Sequence, residues 1–207
     1  MTSSGGSWTQ RTPATTSAYW TAVAWSALSS KFMAVAKPLG KSSNAMTSDG
    51  GVTWTSTLYG TRPSSAYFTS LTWAPTATSP GFVGAGYDAS NYGRTATTTD
   101  LGSTWSYTAL STAANPLLSM AWYPGSACTA GGSAIGIAAN GTVFYSTTPA
   151  TAWNSSALVT DTTLTATGLV WAAEATNSYG GSGLMLAVAS NATAGAIYIS
   201  DMFAQHL

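Results

Sequence analysis

The sequence predicts an all-β protein, a small β-propeller of four blades with four antiparallel strands each, its ring closed by the N-terminal strand. Three observations lead there. Trp25, Trp73, Trp122 and Trp171 follow one another at intervals of 48, 49 and 49 residues. Each interval holds short apolar or β-branched runs separated by Gly, Pro, Ser and Asn, with no sustained helical spacing. An eight-residue pattern, Thr-x-Asp-x-Gly-x-Thr-Trp, occurs at 47–54 and again at 98–105. Four strands per repeat of about 40–50 residues is the signature of a propeller blade.

The elements follow in order. Strand a of each blade contains the first set of tryptophans. Strand b is an apolar run: Phe32 to Ala36, Phe82 to Gly86, Ala134 to Ala138 and Met185 to Ala189. Strand c lies at Asn44 to Thr47, Thr95 to Thr98, Val143 to Ser146 and Ala196 to Ile199. Strand d is tied to a second tryptophan set, Trp8, Trp54, Trp105 and Trp153, spaced by 46, 51 and 48. Small residues in strands a and b (Ala22, Ala24, Ala34, Gly84, Gly136) suit a crowded centre, so strand a is placed innermost. The repeats run over 17–58, 65–109, 115–157 and 163–201, in one domain covering 1–207.

The chain starts with what resembles the end of a box plus strand d, and finishes with strand c and the start of a box. A strand at 7–12 would therefore complete the fourth blade and remove exposed sheet edges. The alternative is that two chains exchange these ends and build a larger ring.

Composition bounds the function. Charged residues make up 6% of the 207, against about 25% in ordinary soluble domains. Six basic and six acidic residues give a net charge of zero. No basic stripe exists to neutralise phosphates, so nucleic acid is not an expected partner. No stretch approaches the roughly 18 apolar residues of a membrane span. Met1 to Ser7 lacks a positive start and an apolar run, so it does not read as a signal peptide. A nearly uncharged surface lacks colloidal repulsion and suits packing against neighbours. The location expected from this is a virion or an extracellular surface.

The two boxes resemble Asp-box repeats, also called BNR repeats, of sialidase-like β-propellers as found in phage and bacterial proteins. A third copy, Ser146 to Trp153, keeps the Ser and the Trp but not the Asp or Gly, and the fourth would be split across the termini. The resemblance implies a rim clasp in the hairpin between strands c and d, made by Thr47, Asp49, Gly51, Thr53 and Trp54, and by Thr98, Asp100, Gly102, Thr104 and Trp105. The aspartate would accept amides of its own turn, and the glycines would permit positive φ.

The resemblance does not carry over an activity. Sialidases need three arginines on the substrate carboxylate, a Tyr–Glu pair and an Asp acid. Arg11, Arg62 and Arg94 are the only arginines here, Glu174 is the only glutamate, and Arg11 lies outside the family's motif. General glycoside hydrolysis needs two carboxylates across a cleft, and Asp88, Asp161, Glu174 and Asp201 carry no mark of such a pair. His206, the single histidine, sits one residue from the C-terminus, and Cys128 is the single cysteine. No catalytic residue, cofactor or metal is therefore expected; no loop motif for Ca²⁺ is present.

A binding face is the remaining candidate. The d-to-a and b-to-c connections would gather Arg11, Lys37, Lys41, Arg62 and Arg94 with Asp88 and the aromatics Trp20, Tyr67, Tyr87 and Tyr92. Aromatics with Arg and Asp serve sugar binding or a protein interface; the plainer reading is that exposed loops hold what charge there is. The expected function is a non-enzymatic structural or binding module, most plausibly a capsid-decoration or tail protein of a phage or related virus, associating with other virion or surface proteins and with itself. The alternatives are a carbohydrate-binding, lectin-like propeller and, less favoured, a glycoside hydrolase.

Overall fold

The computed structural model describes residues 9–11, 19–37, 43–47, 50–58, 67–75, 80–123, 132–157, 164–176, 182–191 and 193–200. Within them the chain is built of β-strands in four antiparallel sheets, each a meander. The first sheet comprises β1 (Tyr19–Ser26), β2 (Lys31–Lys37), β3 (Ser43–Thr47) and β4 (Thr55–Leu58). The second comprises β5 (Tyr67–Ala74), β6 (Gly81–Tyr87), β7 (Tyr92–Thr98) and β8 (Ser106–Ala114). β9 (Leu117–Tyr123), β10 (Ser133–Ala138), β11 (Thr142–Ser146) and β12 (Asn154–Ala157) form the third. The fourth has three strands, β13 (Thr165–Thr176), β14 (Ser182–Ser190) and β15 (Gly195–Ser200).

The first strands of successive sheets are neighbours: β1 lies by β5, β5 by β9, and β9 by β13. Apolar alternation explains the stacking. Each sheet carries side chains on both faces, and three cores fill the three junctions. Met33 and Val35 of the first sheet meet Phe68, Leu71, Phe82 and Trp105 of the second. Val83 and Ala85 meet Leu117, Met120 and Phe144. Ile135, Ile137 and Val143 meet Ala166 and Ala187.

Every inner strand contains a β-bulge at the same place. The register slips at Thr21, Thr69, Leu118 and Thr167, again 48, 49 and 49 residues apart. Three of the four are threonines. Each directs its hydroxyl onto a carbonyl of the paired strand: Thr21 to Val35 (3.2 Å), Thr69 to Ala85 (3.1 Å) and Thr167 to Val188 (3.3 Å). A bulge leaves one residue out of the ladder and bends the strand, and the hydroxyl supplies a bond that the ladder omits.

Just past the bulge, a serine reaches the next sheet. Ser70 Oγ accepts from the Met120 amide at 3.1 Å, and Ser119 Oγ accepts from the Leu169 amide at 3.1 Å. Both hydroxyls also lie 3.4 Å from the carbonyl of the same residue. These clasps fix the offset of the second sheet on the third and of the third on the fourth.

The outer strands β4, β8 and β12 begin directly after their box tryptophans, and the Trp54 and Trp153 indoles close the preceding turns. At the N-terminus, the described part of the anticipated strand at 7–12, Thr9 to Arg11, is exposed and carries no strand; the rest lies outside the described residues. Within them no sheet closes on another to complete a ring.

Candidate functional site

The box at 98–105 is a self-contained polar turn. Asp100 Oδ1 accepts the Thr98 hydroxyl (2.8 Å) and the Thr104 amide (2.8 Å), while Oδ2 accepts the Thr104 hydroxyl (2.6 Å). Thr98 Oγ1 in turn accepts the Gly102 amide at 2.9 Å. Leu101 and Gly102 both have positive φ, 58° and 86°. Burial pushes the Asp100 carboxyl up, but the Thr104 hydroxyl and amide and the Thr98 hydroxyl outweigh it, and its pKa falls below 3.8. Trp105 is buried against Phe68, ring centroids 5.4 Å apart.

In the box at 47–54, Gly50 and Gly51 take φ of 69° and 99°. The Trp54 indole N–H donates to the Gly51 carbonyl at 3.1 Å. Thr47 ends β3, Thr53 is exposed, and Asp49 lies outside the described residues. The eroded third copy keeps a turn by other means. Ser146 Oγ accepts the Thr148 amide at 3.0 Å and donates to the Ala152 carbonyl, and the Trp153 indole N–H donates to the Pro149 carbonyl at 3.0 Å. Ser146 stands where Thr98 stands in the second sheet, and Thr148 takes the position of Asp100. Between the second and third boxes runs an apolar cleft of about 230 Å³, lined by Phe82, Val83, Thr98 and Pro149 among others.

The anticipated binding residues come together only in part. Tyr67, Tyr87, Asp88, Tyr92 and Arg94 gather at the hairpin between β6 and β7. Tyr67 pairs with Tyr87 in register, and their rings stack at 5.1 Å. Asp88 Oδ1 accepts the amides of Ser90 (2.9 Å) and Tyr92 (3.1 Å). Arg94 donates to Asp88 Oδ2 through Nε at 2.9 Å and Nη2 at 2.6 Å, and its guanidinium lies 6.0 Å from the Tyr92 ring centre. Burial raises the Asp88 pKa, and the bonds from Arg94, Tyr92 and Ser90 more than reverse it, so the net shift is downward. Arg94 is therefore engaged inside its own hairpin. Elsewhere Arg11 is exposed, Trp20 is half-buried on β1, and Lys37 ends β2. Lys41 and Arg62 lie outside the described residues.

The position of Asp88 is itself repeated. Counting three residues on from the paired positions Ala85, Ile137 and Val188 gives Asp88, Asn140 and Asn191. Asn140 Oδ1 accepts the Thr142 amide at 2.9 Å, and Asn191 Oδ1 accepts the Thr193 amide at 2.9 Å. All three are Asx turns in the second hairpin of their sheets. The sequence places Asp88 on a candidate ligand face; the fixed offset from the apolar run is the signal that it is a turn residue. Asn140 and Asn115 also join across a junction: Asn115 Nδ2 donates to Asn140 Oδ1 (2.8 Å), and the Asn140 amide donates to Asn115 Oδ1 (3.1 Å).

No family model matches the sequence, and no curated protein matches it. Solved structures similar to it include the following two. YCF48 from Cyanidioschyzon merolae, a β-propeller-like protein, matches with a TM-score of 0.54 and 10% identity, over 87% of this chain and 49% of that one. A protein of unknown function from Dyadobacter fermentans matches with a TM-score of 0.48 and 16% identity, over 86% and 51%. The chain spans about half the length of both. The likeness to YCF48 shows the fold alone, a propeller-like series of antiparallel sheets.

Proposed function

We propose that the chain is a non-enzymatic structural module of a larger assembly, with a virion-associated role in capsid decoration or a tail as its most fitting setting. One observation carries the reading: the first and last sheets present core-type apolar side chains, Val23, Trp25, Val170 and Ile197 among them, to the outside. Isolated exposed apolar residues are ordinary, but contiguous ones mark contact surfaces. A chain with 6% charged residues adds little repulsion against such contact. The virion setting is supported by the resemblance of the boxes to Asp-box repeats of phage and bacterial proteins. In this reading the boxes are structural clasps, because the Asp100 carboxylate is consumed by its own turn.

The test is sedimentation of particles from the source through a density gradient. The chain is expected to travel with intact particles and to stay through a high-salt wash, since apolar contacts are not screened by ions. Recovery only as free protein would refute the assembly. A glycosidase activity lost on changing Asp161 or Glu174 would refute the non-enzymatic reading.

A carbohydrate-binding module is the second reading, favoured by the stacked Tyr67–Tyr87 pair beside Tyr92. The Asp88–Arg94 pair weighs against it, because a sugar would have to displace two charge-assisted bonds from Arg94 to Asp88 Oδ2. Glycan-array binding abolished by Arg94→Ala would favour it.

A further inference from the structure

The repeat makes the two end faces comparable with the faces that are buried inside the array. Val23 stands two residues before Trp25, as Leu71 stands before Trp73 and Met120 before Trp122. Leu71 is 7% exposed under the first sheet, whereas Val23 is 59% exposed. Trp25 and Phe32 pack together at 4.6 Å, as Trp73 and Phe82 do at 4.9 Å. Phe82 is fully buried, whereas its counterpart Phe32 is only half-buried and Trp25 is 41% exposed. The first sheet therefore carries a junction face on which, among the described residues, no sheet is laid.

The fourth sheet ends the other way. In each interior junction the cover comes from alternate residues of the second strand: Met33 and Val35, Val83 and Ala85, Ile135 and Ile137. Val188 is the next in this series; it pairs with Ile197 as Ile137 pairs with Val143. Ile137 and Val143 are 0% and 2% exposed, while Val188 and Ile197 are 40% and 72% exposed. So one end of the chain offers a cover and the other a surface of the kind such covers take. Among the described residues the two ends are not in extended contact with each other.

We propose that two copies of this chain pack head to tail, the fourth sheet of each covering the first sheet of the other, to close one ring. This rests on the assembly reading above and names its partner. The contact would continue the three junctions already present. It is heterologous, so the two faces differ, and rotation must close it to avoid an open filament.

Light scattering on the eluting protein tests it. The expected particle has twice the 21.0 kDa chain mass, and its melting temperature rises with protein concentration. Val23→Asp and Ile197→Asp each change a residue exposed on its own chain, so each variant should keep the β-sheet circular dichroism and run as a monomer. Mixed, they should recover a two-chain species, because one retains the covering face and the other the covered face. A monomeric wild-type chain, or an open-ended series of sizes, would overturn the ring. So would either variant pairing with itself, which would mean a contact between like faces. Co-sedimentation with particles can succeed or fail independently of this result, so the two readings fall separately.

Discussion

Ser119→Ala should loosen the junction between the third and fourth sheets by a predictable amount. The hydroxyl accepts the Leu169 amide at 3.1 Å in a partly buried position, 50 residues away in sequence. Removing it takes away that acceptor from the Leu169 N–H at the junction. The penalty for a fully buried unsatisfied group is about 1–3 kcal/mol. Partial burial places this one in the lower half, about 1–2 kcal/mol. The methylene of the serine stays, so the packing term is small. Urea unfolding followed by circular dichroism should show a lower midpoint with an unchanged slope, and melting should fall by roughly 2–4 °C per kcal/mol for a chain of this size. Ser70→Ala removes the equivalent bond to Met120 and should cost about the same; because Ser119 and Met120 are consecutive residues, the double mutant measures the coupling between the two clasps. The chain contains its own control. The equivalent residue in the first sheet is Ala22, and that junction stands without the clasp. If Ser119→Ala changed stability by less than about 0.3 kcal/mol, the amide would have an adequate alternative partner and the clasp would be incidental.

Asp100→Ala should destabilise by about 1–2 kcal/mol through loss of three accepted hydrogen bonds, leaving any association of the chain intact; binding lost without a change in melting would contradict the structural role. Because the Asp100 pKa is lowered in the folded state, its contribution is fully present above 3.8 and is lost as the pH drops through the lowered value. Acid titration of Asp100→Asn should accordingly show a shallower loss of stability below pH 3.8 than the parent. Gly84→Ala would bring a Cβ to 2.3 Å from the Phe68 ring; overpacking should cost about 1–3 kcal/mol, read as a lower urea midpoint. Arg94→Ala should cost at most about 1 kcal/mol, since the pair with Asp88 is partly solvated.

Much of the local architecture was legible. The 48–49 residue spacing located each inner strand because a repeat buries equivalent side chains at equivalent places. The box announced its turn because Asp100, Thr98, Gly102 and Thr104 interact over a few residues of chain. The bulges were also written at that spacing, in Thr21, Thr69 and Thr167, but a threonine in a strand looks like any other strand residue. The sequence places Asp88 and Arg94 together on one loop face that could meet a ligand. A list of charged residues does not say which are satisfied by their own hairpin.

By itself, then, the sequence determined a chain of short antiparallel strands, the repeat that orders them and the turn chemistry between them. These depend on contacts between near neighbours. Tertiary structure alone decided which apolar faces find a cover. Val23 and Leu71 are the same kind of residue at the same repeat position, yet one is exposed and the other buried. Alternation along a strand specifies that a face is apolar. Whether another sheet lies on it depends on the stacking of elements about 50 residues apart, and at the two ends of the array no further sheet of the described chain is there to do so.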